Sequence, residues 1–334
     1  PSPAEVAEVL GVNFVLEGTL QRHGSHFRIT VRLADTESGD QLWADRFDRQ
    51  DADLLALQDD IVAHILATLQ VRGPLPSRPP PTSNPAAHDL FLRGRAEYHG
   101  YTPPHLARAE EYFRQATDLD PTFAEALAYR SYCRCTCHVF GFPGSDKTLE
   151  PALELARRAV ALAPGSGSTQ ARLGWILGFL GAEKQARDAF ETARKAAPRS
   201  AEVLHAYGET CNRLSRPQAA LPLIEAAARL DPFAPPSWRF ARGHSLILME
   251  QSDEACEVLS DVIGTLPGFL PARVQMIRAL VETGETETAR AMAEAILAIS
   301  PRYNRSSANR MFPYPDAEQC KKLDRALREA GLPE

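Results

Sequence analysis

The chain has 334 residues, 44% of them hydrophobic and 24% charged, with a formal net charge of −6. These proportions fit a folded globular protein of two or three domains, or one domain and a repeat array. The acidic balance argues against a sequence-independent nucleic-acid binder, which needs a basic stripe to release counterions, and no apolar run of about eighteen residues is present to span a membrane.

Residues 4–10 read as a short helix ended by Gly11. Val12, Phe14, Leu16, Gly18 and Leu20 then alternate with other residues, as do Phe27, Ile29, Val31 and Leu33. This period of two predicts half-buried strands, with His23-Gly24-Ser25 as the hairpin tip. A third strand is predicted near 41–47, after the Ser38-Gly39-Asp40 turn. Leu54, Leu57, Ile61, Ile65 and Leu69 follow at helical spacing, with Asp51 or Asp53 able to cap the start. Residues 1–72 therefore read as a small α+β segment with a three-stranded antiparallel sheet. It is near the lower limit for an independent core and fits the second half of a larger domain. Residues 73–87 are proline-rich, which forbids helix and makes an extended spacer.

From residue 88 a different period takes over. Gly174, Gly208 and Gly243 stand early in predicted helices, followed by Ala186, Ala220 and Ala255, then by Ala193, Ala227 and Val262. Pro198, Pro232, Pro267 and Pro301 are 34, 35 and 34 residues apart. A fixed period of this size predicts stacked helix pairs, an α-α superhelix of about six helix-turn-helix units over residues 88–301. The glycines let the second helix of a pair approach the first. Large residues such as Phe113 and Phe190 fill the space between them, and each proline ends a second helix. Residues 302–334 depart from the pattern. Leu323 and Leu327 predict one final helix that caps the array, stopped by Gly331 and Pro333.

Motifs that would carry chemistry are scarce. Gly144-Ser-Asp-Lys-Thr148 resembles the end of a phosphate loop but lacks the preceding strand and first glycine, and reads as an inter-helix turn. Cys133, Cys135 and Cys137 invite a metal reading. On a helix Cys135 points away from the other two, and no second knuckle exists, so small buried side chains are the simpler account. No cofactor, metal or catalytic residue is assigned. The six cysteines fit reduced thiols in a reducing compartment.

The residues of the array resemble the tetratricopeptide-repeat family, most closely in the third and fourth units. That resemblance implies a concave face formed by the first helix of each unit, which takes a protein or peptide partner. The positions it carries over are Tyr129 and Tyr132 in the second unit, Arg172, Trp175 and Phe179 in the third, His205, Glu209, Asn212 and Arg213 in the fourth, and Phe240 and His244 in the fifth. Aromatic and arginine side chains are the anchors that interfaces favour. The lysine-and-asparagine set that clamps carboxyl-terminal tails in chaperone-binding members is missing.

The front segment, Leu10-Gly-Val-Asn-Phe-Val-Leu-Glu-Gly-Thr19 with Leu42-Trp-Ala-Asp-Arg-Phe47, resembles the latter half of TolB-like amino-terminal domains. This implies a bacterial signalling protein whose upstream output module is a class III adenylate cyclase or a winged-helix DNA-binding domain. The chain opens on Pro1 rather than Met and is expected to be part of a longer protein. A cytoplasmic location is expected, or a periplasmic one if an upstream segment spans a membrane. The oligomeric state is not legible.

Overall fold

In the computed structural model, which describes residues 5, 11–23, 26–50, 54–69, 81–142 and 144–334, the period-two stretches become three antiparallel strands. They are β1 (Phe14–His23), β2 (His26–Asp35) and β3 (Gln41–Gln50), in the order β1-β2-β3. Leu16 pairs with Leu33 and Gly18 with Val31, so the apolar positions share one face. The helix α1 (Leu54–Thr68) covers part of that face, where Val31 and Phe47 pack with Ile29, Trp43 and Ile61. Asp35 makes the β2–β3 turn by accepting from the backbone N–H groups of Glu37 and Ser38 at 2.8 and 3.0 Å. The helix expected at 4–10 apart from Glu5, the Gly24-Ser25 tip, the Asp51 and Asp53 caps and the linker as far as residue 80 lie outside the described residues.

The chain divides into two compact units, Pro1–His88 and Asp89–Glu334. The second is built from the predicted helix pairs: α2 (Pro85–Tyr98) with α3 (Pro103–Leu119), α4 (Ala124–Phe140) with α5 (Glu150–Leu162), and α6 (Gly167–Phe179) with α7 (Glu183–Ala196). Then come α8 (Ala201–Arg213) with α9 (Pro217–Leu230), α10 (Arg239–Leu248) with α11 (Ser252–Thr265), and α12 (Leu270–Glu282) with α13 (Thr286–Ile299). A 3-10 turn, Pro236–Trp238, leads into α10. Helix α2 begins inside the stretch read as linker. Proline is acceptable at the first helical position, and the Asn84 carboxamide oxygen accepts from the N–H groups of Ala86 and Ala87 at 3.0 and 3.1 Å.

The close approach read from the glycines is present in the geometry. A Cβ at Gly94, Gly174, Gly208 or Gly243 would stand 2.6–2.8 Å from Phe113, Phe190, Ile224 or Leu259 respectively, each in the paired helix. Every turn inside a pair carries a residue in the left-handed region just after the first helix, Tyr101, Gly141, Gly181, Ser215, Glu250 and Gly284, and the longer α4–α5 turn adds Gly144.

The carboxyl-terminal region differs from expectation. It holds two helices, α14 (Arg305–Met311) and α15 (Ala317–Glu329). Helix α14 is too short to show a period, and its start is set by a local cap: Asn304 Oδ1 accepts from Ser307 N–H at 2.9 Å. It packs against α4, and α15 packs against α12 and α13. Among the described residues no helix is long and apolar enough to cross a membrane.

Candidate interaction site on the inner face

The residue that follows the small position in the first helix of each unit is Arg95, Tyr132, Trp175, Glu209, His244 and Arg278 in turn. The resemblance assigns these positions to the inner face of the array. Ten of the eleven residues predicted there are less than a tenth exposed, and Glu209 is partly buried. These side chains are thus packed against other parts of the chain, and they sort into three groups.

The first group is Tyr129, Tyr132 and Arg172. The Arg172 guanidinium lies 4.5 and 4.3 Å from the two tyrosine ring centroids. It pairs with Glu202 at the start of α8, and the same carboxylate accepts the Tyr129 hydroxyl. Burial opposes the charge on Arg172, but Glu202 and the flanking tyrosines outweigh it, and the pKa rises. Burial likewise opposes the charge on Glu202, yet Arg172 and Tyr129 hold its pKa below the usual carboxylate value. The pair is ionised, and cation–π contact adds to it.

The second group surrounds a cavity of about 40 Å³ lined by Trp175, Phe179, His205, Glu209, Arg213 and Phe240, with Tyr101, Phe269 and Phe312 among the side chains that close it. The Arg213 guanidinium stacks 3.7 Å from the Phe179 centroid and 5.2 Å from that of Trp175. Its carboxylate partner, Glu209, is 3.9 Å away. Burial lowers the Arg213 pKa, against the pull of Glu209. Arg213 Nε and Nη1, Trp175 Nε1 and His205 Nε2 find no partner among the described residues. A void of this size accommodates a few water molecules able to serve them.

The third group faces other parts of the chain. Asn212 is turned toward α10, donating to Ala241 O at 2.8 Å and accepting from Ser245 Oγ at 2.9 Å. Phe240 and His244 meet the carboxyl-terminal region, where His244 Nε2 is 2.6 Å from the Tyr314 hydroxyl. Burial first, then Arg213 and Arg278, keep His244 neutral.

Arg95 and Arg278 share the repeat position of Trp175 and His244 and could have been found by the same spacing. Arg278 is fully buried, bonded to Glu282 at 2.9 Å and Gln319 at 2.7 Å. Glu202, Gln275 and Tyr314 carried no such signal, because each acts across units or from outside the repeat. Cys133 donates to Leu106 O at 3.3 Å, and Cys135 is buried with its thiol pKa pushed up by burial. Among the described residues no group of three His, Cys, Asp or Glu is placed to hold a metal ion.

No family model matches the chain. The putative adenylate cyclase 3 of Rhizobium meliloti (strain 1021) is 30% identical over 165 residues, covering 48% of this chain and 28% of that protein. The chain thus spans little more than a quarter of the curated relative that it matches. Human IFIT1, solved as a dimer with m7Gppp-AAAA, superposes with a TM-score of 0.53 at 17% identity, over 81% of this chain and 62% of that one. TTC0263, a thermophilic TPR protein in Thermus thermophilus, matches at 21% identity and a TM-score of 0.45, over 59% of this chain and all of that one. The helix pairs form a tetratricopeptide-repeat solenoid, preceded by a three-stranded antiparallel sheet.

Proposed function

We propose that this tetratricopeptide-repeat chain is a non-catalytic interaction and regulatory module, which takes a protein or peptide segment along its inner face. The observation that carries this reading is the content of that face. It gathers aromatic rings with arginines stacked on them, and the acids present are matched to those arginines. Such side chains anchor protein interfaces. General acid–base chemistry needs titratable groups poised near neutral pH, whereas burial holds His205 and His244 in the neutral form.

The similarity to a putative adenylate cyclase favours one setting, the regulatory region of a bacterial cyclase. On that reading the reaction belongs to another part of the parent protein. The TolB-like segment of residues 1–72 couples the array to that output domain. The working compartment is the cytoplasm.

The test is site-specific photo-crosslinking in cells that express the full-length parent. A crosslinker at Glu209, on the inner face, is expected to capture a partner protein. One at Glu225, on an outer helix, is expected not to. Capture from Glu225 alone would move the binding surface off the inner face.

A further inference from the structure

The inner face already has an occupant, and it is the chain itself. Beyond the sixth helix pair, residues 303–315 return to the first helices of earlier units, with α14 against α4 and Phe312 and Tyr314 against α10. Phe312 stands with its ring 5.2 Å from His244 and 6.3 Å from Phe240. Tyr314 stacks on Phe312 at 6.0 Å and 20°. Its hydroxyl is 2.6 Å from His244 Nε2 and accepts from Gln275 Nε2 at 2.8 Å. Phe240 and His244 are among the positions that the family resemblance assigns to a partner.

Open clefts flank the segment. A cleft of about 490 Å³ opens beside it between His138, Leu149 and Arg310. A second, of about 400 Å³, opens on its other side near Pro313, Lys321 and Asp324. Residues 312–315 form no helix or strand, and Tyr314 N–H donates to Phe312 O at 2.9 Å, closing a tight turn around Pro313. The two rings are therefore presented together, stacked on either side of a turn that the proline between them stiffens.

We infer that residues 303–315 are a resident ligand, and that the trough accepts in their place a partner segment of the same chemistry: aromatic, proline, tyrosine. This rests on the interaction reading above and adds the chemistry of the partner and a gate. The hydroxyl is the specific element. With His244 neutral, the phenol donates to it and accepts from Gln275, so both of its hydrogen-bonding functions are used. A phenylalanine in that place leaves two buried polar groups unpaired. Tethering gives the resident segment a high effective concentration, so a free partner engages only when the segment is released or outcompeted.

The experiment uses the full chain and a fluorescent peptide of residues 303–316. In anisotropy titrations the peptide is expected to bind the Phe312→Ala/Tyr314→Ala double variant. It should bind the wild type about 100-fold more weakly, as a trough occupied about 99% of the time requires. A peptide with phenylalanine in place of Tyr314 should lose about tenfold in affinity or more. Equal binding to both proteins, or no binding to a folded double variant, overturns the proposal.

Removing two buried rings can itself unfold the array, so hydrogen exchange on the wild type is the second arm. Excess unlabelled peptide is expected to speed exchange at 305–314 and leave α6 to α8 unchanged. Unaltered exchange at 305–314 under saturating peptide makes the segment a plain part of the core. A partner still crosslinked from Glu209 in that case would leave the interaction module standing and remove only the resident-ligand assignment.

Discussion

Gly174 has no room for a methyl group. A Cβ there would meet the Phe190 ring at 2.8 Å and Ala186 O at 3.2 Å, one of them backbone that cannot rotate away. Gly174→Ala is therefore expected to destabilise the protein by about 1–3 kcal/mol, although alanine is the better helix former. Gly264 has nothing within 4 Å of its added Cβ. Gly264→Ala should raise stability by about 0.4–1 kcal/mol. Urea denaturation of the pair checks both signs, and a stabilising Gly174→Ala would mean that α6 and α7 are not in contact at that point. The glycine was legible because its reason is a one-to-one contact repeated in every unit. Glu202 was not legible. It meets Arg172 and Tyr129 across two unit boundaries, and no local pattern announces such a meeting. Glu202→Gln is expected to cost about 1.5–3 kcal/mol, by leaving the Arg172 guanidinium buried without its counter-charge. The same urea series reads this, and a cost near zero would show that the two tyrosine rings alone sustain the cation.

The turn inside each helix pair repeats as faithfully as the helices do. Gly181 and Gly284 supply the left-handed residue at no steric cost, while Ser215 adopts φ 57° with a side chain. Its hydroxyl is also buried without a partner among the described residues. Ser215→Gly should accordingly stabilise the fold by about 1 kcal/mol, seen as a higher thermal midpoint. A lower midpoint would indicate that the hydroxyl finds a water bond worth more than the strain. The helix pairs could be read from the sequence because small, large and proline positions recur together every 34 or 35 residues. Helix α14 could not. Its seven residues offer only Ala308 and Met311 as apolar contacts, and it exists because Asn304 caps it and α4 receives it. The first-helix positions of the candidate site could be picked out as a set by their spacing, but what they meet could not, since Phe312 and Tyr314 lie outside the period.

At the scale of the whole array, burial sets a pH dependence. His99, His205 and His244 all have pKa values pushed down by burial, His99 to about 4, against about 6.5 in an unfolded chain. The unfolded state therefore binds more protons below pH 6.5. The stability these neutral rings contribute is complete above that value and is lost as the pH falls toward the folded pKa. Each imidazole lowers stability by up to about 1.4 kcal/mol per pH unit in that window. The urea midpoint should consequently drop between about pH 7.5 and pH 5.5. A midpoint that stays level would show that the rings take up protons inside the fold.

Tyr101, in the first turn of the array, packs its ring 4.9 Å from Phe269 at the start of the sixth pair, and its hydroxyl accepts from Ser237 Oγ at 3.4 Å. A row of hairpins whose ends never touch can fray from either side, losing one member while the rest stand. Here the row bites its own tail: the first hairpin cannot peel off without breaking a contact to the last. Melting should then be a single event, and damage at Tyr101 should be felt as strongly in α12 as in α2.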